Sequence, residues 1–134
     1  MAQQTITGGC HCGKVRIAAD LDLAAGTGRC NCSICGKLRG WTAIVKPQAV
    51  RLISGQADLS SYEWGAKIST RMFCKHCGVH VLSRGYLEEV GGDYCSVNIA
   101  ALDLEPATLD TIPIRYFDGL HNNWMSTPEH TGYL

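Results

Sequence analysis

The sequence contains no apolar run of the roughly 20 residues that a membrane-spanning helix needs. Its start resembles no secretion signal either, because residues 1–9 have neither a basic opening nor an apolar core. These absences predict a cytoplasmic protein with no membrane anchor. No excess of either charge is present: Lys and Arg together number 12, as do Asp and Glu, for a formal net charge of zero. Without a basic stripe, electrostatic capture of nucleic acid is not expected. Repeats, low-complexity tracts and linkers are also missing, and 134 residues suit one domain with its own core rather than two.

Helical periodicity is scarce. A turn or two over 33–38 and a weak segment over 102–109, interrupted by Pro106, are the only helix candidates. Strand patterns dominate. Residues 14–18 alternate polar and apolar, and 41–46 are aromatic and β-branched up to Pro47. A short strand over 50–53 stops at Ser54-Gly55, and 61–64 with 68–73 suggest a hairpin about Gly65. Further strands are expected over 79–84, ended by Gly85, over 94–99, and over 112–117, the last at a sheet edge because of Pro113. Residues 122–134, polar with Pro128 and Gly132, read as an irregular arm. Short strands at close spacing with little helix make the class mainly β.

What the sequence has in abundance is cysteine. Seven of its eight cysteines fall in three tight clusters: Cys10-x-Cys12, Cys30-x-Cys32-x-x-Cys35 and Cys74-x-x-Cys77. Eight cysteines would also make four disulfides in a small secreted domain. A C-x-C disulfide is strained, however, and clustered cysteines in a cytoplasmic chain favour metal. Zinc takes four protein ligands at a structural site, but three plus an open position at a catalytic one. Seven sulfurs divide into four plus three, which suggests one closed site and one open site. Two closed sites, the second completed by Cys95 or a histidine, are the other division. A zinc joining the Cys10/Cys12 and Cys74/Cys77 pairs would tie distant strands together and contribute folding free energy. Spacing alone leaves open which cluster joins which. Gly9, Gly13 and Gly78 flank these sulfurs, where a metal knuckle needs tight turns.

The triplet suggests a particular chemistry. Three thiolates outweigh a dication, so such a site is anionic and its Lewis acidity is blunted. It suits a soft sulfur ligand, whose proton it would displace, better than water to be hydrolysed with. Other candidates carry less. His11, between two ligands of a C-x-C turn, reads as surface or pocket wall, and His76 as exposed in its loop. His80 reads as a packed or surface strand residue, with covering a fourth zinc position as the alternative. Cys95 reads as a small buried residue, and His121 and His130 have no partner visible in the sequence.

Taken together, Gly8-Gly9-Cys10-His11-Cys12-Gly13, Arg29-Cys30-Asn31-Cys32-Ser33-Ile34-Cys35-Gly36-Lys37 and Phe73-Cys74-Lys75-His76-Cys77-Gly78 resemble the glutathione-dependent formaldehyde-activating (GFA) family, which includes centromere protein V. Weaker echoes are Val97-Asn98 with Leu102-Asp103, and Phe117-Asp118-Gly119 followed by Trp124. The likeness gives the expected single domain over 1–134 a core of about 7–124 and a C-terminal arm of about 125–134.

The resemblance implies a β-tent fold of small coiled antiparallel sheets pinned by zinc. It implies two zinc ions: a structural one on Cys10, Cys12, Cys74 and Cys77, and a catalytic one on Cys30, Cys32 and Cys35. It also implies a carbon–sulfur lyase-type activity that joins glutathione to formaldehyde, or another small aldehyde, as an S-hydroxymethyl adduct. Lys37 and Arg39 are the first cations after the triplet and candidates to attract an anionic thiol. The contrasting expectation is a zinc-stabilised binding module without turnover.

Overall fold

The computed structural model describes residues 3–63 and 69–134. Among the described residues, ten strands form two sheets. The smaller contains β1 (Gln4–Gly9), β2 (Arg16–Leu21) and β5 (Val50–Ser54) in the order β1-β2-β5. The larger is built from β3 (Thr27–Cys30), β4 (Thr42–Val45), β6 (Leu59–Glu63), β7 (Ser69–Cys74), β8 (His80–Leu87), β9 (Gly92–Asn98) and β10 (Ile114–Phe117). Its strand order is β10-β3-β4-β9-β8-β7-β6. All pairings are antiparallel except that of β10 with β3. Among the described residues, helix is confined to α1 (Ser33–Leu38), α2 (Pro106–Leu109) and short 3-10 turns. The expected mainly β class, with small sheets and little helix, is what the chain forms. No helix among the described residues is long and apolar enough to cross a membrane.

One core serves both sheets. Ile17, Ala19 and Leu21 of β2 and Val50 of β5 pack with Ala43, Leu82, Cys95 and Val97 of the larger sheet. Burying such aliphatic side chains is the main favourable term in a chain of this size. Bridging between Gly8 and Leu102, with the Asp103 N–H donating to the Thr7 carbonyl at 2.9 Å, sews β1 to the segment after β9. Arg16 adds a charged bond to Asp103 at 2.5 Å.

Several element readings need correction. Residues 4–9 and 27–30 are strands that alternation did not expose, because Gly8, Gly9 and Gly28 dilute the pattern. Lys14 and Val15 belong to the first cysteine turn, so the expected 14–18 strand starts at Arg16. Gly85 does not end β8, since it pairs with both Ser69 and Tyr94 and the strand runs on to Leu87. Pro106 starts α2 rather than breaking a longer helix; at the first helical position its missing N–H costs nothing. The strand after Pro113 does lie at a sheet edge. The antiparallel pairing of β6 and β7 fits the expected hairpin, whose turn about Gly65 lies outside the described residues.

Candidate metal centres

Two cysteine turns of similar build face each other across the fold. In the first, the Cys10 N–H donates to the Val15 carbonyl at 3.0 Å and the Gly13 N–H to the Cys10 carbonyl at 3.3 Å. In the second, the Cys74 N–H donates to the Val79 carbonyl at 3.1 Å and the Gly78 N–H to the Cys74 carbonyl at 2.8 Å. Gly13 and Gly78 adopt φ of 83° and 77°, a region open to glycine and strained for most other residues. Backbone N–H groups also point at sulfur, Val15 to Cys10 at 3.3 Å and His76 to Cys74 at 3.4 Å. Gly9 does not turn the chain as expected. It permits close approach, since a Cβ there would sit 2.0 Å from the Val15 carbonyl oxygen.

These turns gather Cys10, Cys12, Cys74 and Cys77, with all four Sγ atoms within 4.8 Å of one another. Cys10 and Cys12 are separated by 3.6 Å, Cys12 and Cys74 by 3.7 Å. A zinc with bonds of about 2.3 Å spaces its four sulfurs by about 3.8 Å, so the donor set fits a tetrahedral ion. Cys10 and Cys74 are buried, as suits a closed site.

Cys30, Cys32 and Cys35 form the second group, again with their sulfurs within 4.8 Å. Cys30 ends β3, Cys32 precedes α1 and Cys35 sits in its first turn, so one short segment presents all three. Cys95 belongs to neither group; it is fully buried in β9. Sulfurs this close share protons. Bonds from Cys30 and then Cys35 hold the Cys32 thiol down to about 2, while Cys30 and then Cys32 push the Cys35 thiol well above the thiol range. A dication is the species that lets all three ionise together. Both groups could therefore hold metal ions.

An open depression of about 570 Å³ adjoins the triplet, lined by Asn31, Cys32, Ser33, Gly36, Lys37 and Arg39. Lys37 and Arg39, the first cations after the triplet in sequence, thus share a wall with Cys32. Arg39 ends α1 in a left-handed conformation, bonds the Gly36 carbonyl, and lies over the Tyr133 ring at 5.0 Å. That last contact brings the C-terminal arm to the depression.

Side chains that sequence reading left without a role complete the surroundings. Arg71 of β7 donates to Cys35 Sγ at 3.8 Å and to Ser69 Oγ at 2.5 Å. In β8 the register slips so that Phe73 pairs with His80 but Met72 with Leu82, leaving Val81 as the extra residue of a bulge. The bulge brings His80 and Ser83, three residues apart, to one side, where Nε2 and Oγ lie 3.0 Å apart. Burial, helped by the Arg71 charge, lowers the His80 imidazole to about 4, so it is neutral near pH 7. It bonds Ser83 and is not one of the grouped metal donors. His11 and His76 are exposed, as read, but His76 pairs with Asp58 at 2.6 Å, a contact 18 positions away that spacing could not reveal. His121 bonds Asp118, and His130 is exposed.

A family model described as the glutathione-dependent formaldehyde-activating enzyme matches residues 5–116, and the chain belongs to this family. It is also similar to the crystal structure of a Rhodobacter sphaeroides protein determined as a structural-genomics target. The two share 28% identity with a TM-score of 0.68, covering 82% of this chain and 100% of that one.

Proposed function

We propose that the protein joins a thiol, glutathione foremost, to formaldehyde or another small aldehyde in the manner of a carbon–sulfur lyase run in reverse. Cys10, Cys12, Cys74 and Cys77 would hold a structural zinc, and Cys30, Cys32 and Cys35 a catalytic one. Family membership supports this reading, and one observation carries it: the three-sulfur group borders an open depression with two cations in its wall, whereas Cys10 and Cys74 of the four-sulfur group are buried.

Cys30, Cys32 and Cys35 would hold the zinc with a fourth position open to a soft sulfur ligand, which would favour the thiolate form and release the thiol proton to solvent. The protein's own residues orient the reactants. Lys37 and Arg39 attract the carboxylates of an anionic thiol, and the walls of the depression hold the small aldehyde against its sulfur. The sulfur lone pair then forms the bond to the carbonyl carbon, the C=O π pair moves to oxygen, and oxygen takes a proton from water to give the S-hydroxymethyl product. With no carboxylate or histidine among the residues lining the depression, solvent serves as the proton source.

The test is hemithioacetal formation from carbon-13 formaldehyde and glutathione, followed by exchange NMR on zinc-loaded protein. Acceleration above the spontaneous rate, lost in Cys32→Ala, is expected. A metal-replete protein that accelerates no thiol–aldehyde pair would replace the enzyme with a zinc-stabilised binding module.

A further inference from the structure

Arg71 reaches the three-sulfur group from a different part of the fold. It lies in β7, 36 positions from Cys35, paired across the sheet with Tyr62 on one side and Ser83 on the other. Its guanidinium is forked: Nη1 donates to Ser69 Oγ and Nη2 to Cys35 Sγ. Neighbouring His80, held by Ser83 and neutral, adds no competing positive charge. The larger sheet thus offers one fixed cation to one sulfur of the triplet.

We infer that Arg71 is a positioning residue that tunes the open metal site through Cys35, an inference that rests on reading the triplet as a thiolate–metal site. Three thiolates around a dication leave a net negative charge, and an incoming thiolate would add another. A guanidinium donating to Cys35 offsets part of that charge by a charge-assisted hydrogen bond. It also draws electron density from the Cys35 sulfur, making it a weaker donor. The metal then holds its remaining ligand more firmly, the opposite sense to a carboxylate partner that raises a ligand's basicity. Arg71 would therefore raise both retention of the ion and affinity for a soft fourth ligand. A purely structural cross-link between strands would affect neither.

The experiment compares cobalt-loaded parent, Arg71→Gln and Arg71→Lys. In Arg71→Gln the Cys35 sulfur becomes more electron-rich, so sulfur-to-cobalt charge transfer should move to longer wavelength. Glutathione affinity, read from the same band, should weaken about ten-fold, and a chelator should strip one of the two ions faster. Lysine keeps the charge but not the fork, so Arg71→Lys should fall between. Unchanged band position, glutathione affinity and chelation rate in a folded Arg71→Gln overturn the inference. If that variant does not fold, an Arg71→Lys indistinguishable from the parent overturns it equally. Should the parent ignore glutathione while Arg71→Gln still shifts the band and releases its ion faster, the thiol reading fails and the role of Arg71 stands.

Discussion

The side-chain amide of Asn31 donates to Asp118 Oδ1 at 2.9 Å, joining two buried residues 87 positions apart. Asn31 stands between two cysteines of the triplet, and its other amide atom, Oδ1, accepts from the Leu120 N–H at 2.9 Å. Its backbone N–H donates to the Phe117 carbonyl at 3.3 Å. The end of β10 and the segment after it therefore hold Asn31, within the triplet, by three hydrogen bonds. The Asn31 amide, and beyond it His121, hold the Asp118 carboxyl below its usual range. Gly119 packs so closely that a Cβ there would meet Cys32 Cβ at 2.8 Å.

Asp118→Ala strands the buried Asn31 amide, which should cost about 1–3 kcal/mol. The loss should concentrate at the triplet. We expect metal content to fall towards one ion per chain while the four-cysteine site stays loaded, read by elemental analysis after dialysis. Parent-like metal content with a parent-like thermal midpoint would show that the contact does not position the triplet.

The two cysteine groups should respond differently to truncation. Cys74 is buried in a site that joins the β1–β2 turn to the β7–β8 turn, so its ion would cross-link both sheets. Cys30, Cys32 and Cys35 come from one short segment and cross-link little. Cys74→Ala should therefore give insoluble or molten protein. Cys32→Ala should stay folded, with a thermal midpoint within a few degrees of the parent and less bound metal. Equal midpoints for parent and Cys74→Ala would assign the structural role elsewhere.

Much of this site is legible in the sequence because zinc-type donors cluster locally. The spacings of Cys10/Cys12, Cys30/Cys32/Cys35 and Cys74/Cys77 each declare a metal turn, whatever the strands between them do. Gly13 and Gly78 are readable for the same reason, since the turn requires their conformation. Arg71 and Asp118 are less accessible. Arg71 reaches the triplet from a distant strand and by itself looks like a solvated residue, while Asp118 shows only within the Phe117-Asp118-Gly119 echo, its bond to Asn31 hidden by 87 positions of chain. Residues 4–9 carry no strand alternation because Gly8 and Gly9 stand where side chains would clash, so close packing itself erases the pattern. His80 shows a further limit: strict period-two reading cannot place it beside Ser83, because the bulge at Val81 reverses its side.

His80 gives the fold a defined acid sensitivity. Its folded-state value is lowered from 6.5 to about 4, chiefly by burial. Below pH 6.5 the unfolded chain takes up a proton that the folded chain refuses until about pH 4. Stability should thus fall as pH drops through that window and gain nothing from His80 above it. Urea midpoints measured from pH 7 to 5 should slope less in His80→Gln than in the parent. Ring resonances of His80 should hold their neutral shifts across that range. A ring that titrates near 6.5 would remove the argument.

Cys95 is the remaining thiol, and its surroundings predict inertness. It is fully buried, opposite Val45 of β4 and Arg84 of β8, and burial pushes its thiol above the ordinary value. A raised, inaccessible thiol is a poor nucleophile and a poor metal donor. Cys95→Ser should retain two ions and any thiol–aldehyde activity. It should still lose about 1–3 kcal/mol, because the hydroxyl needs a hydrogen-bond partner that a thiol does not demand. Native protein treated with a bulky alkylating reagent should stay unmodified at Cys95 by mass spectrometry until denatured. Loss of one ion in Cys95→Ser would make this residue a fourth ligand, and the open site proposed for the triplet would become a closed one.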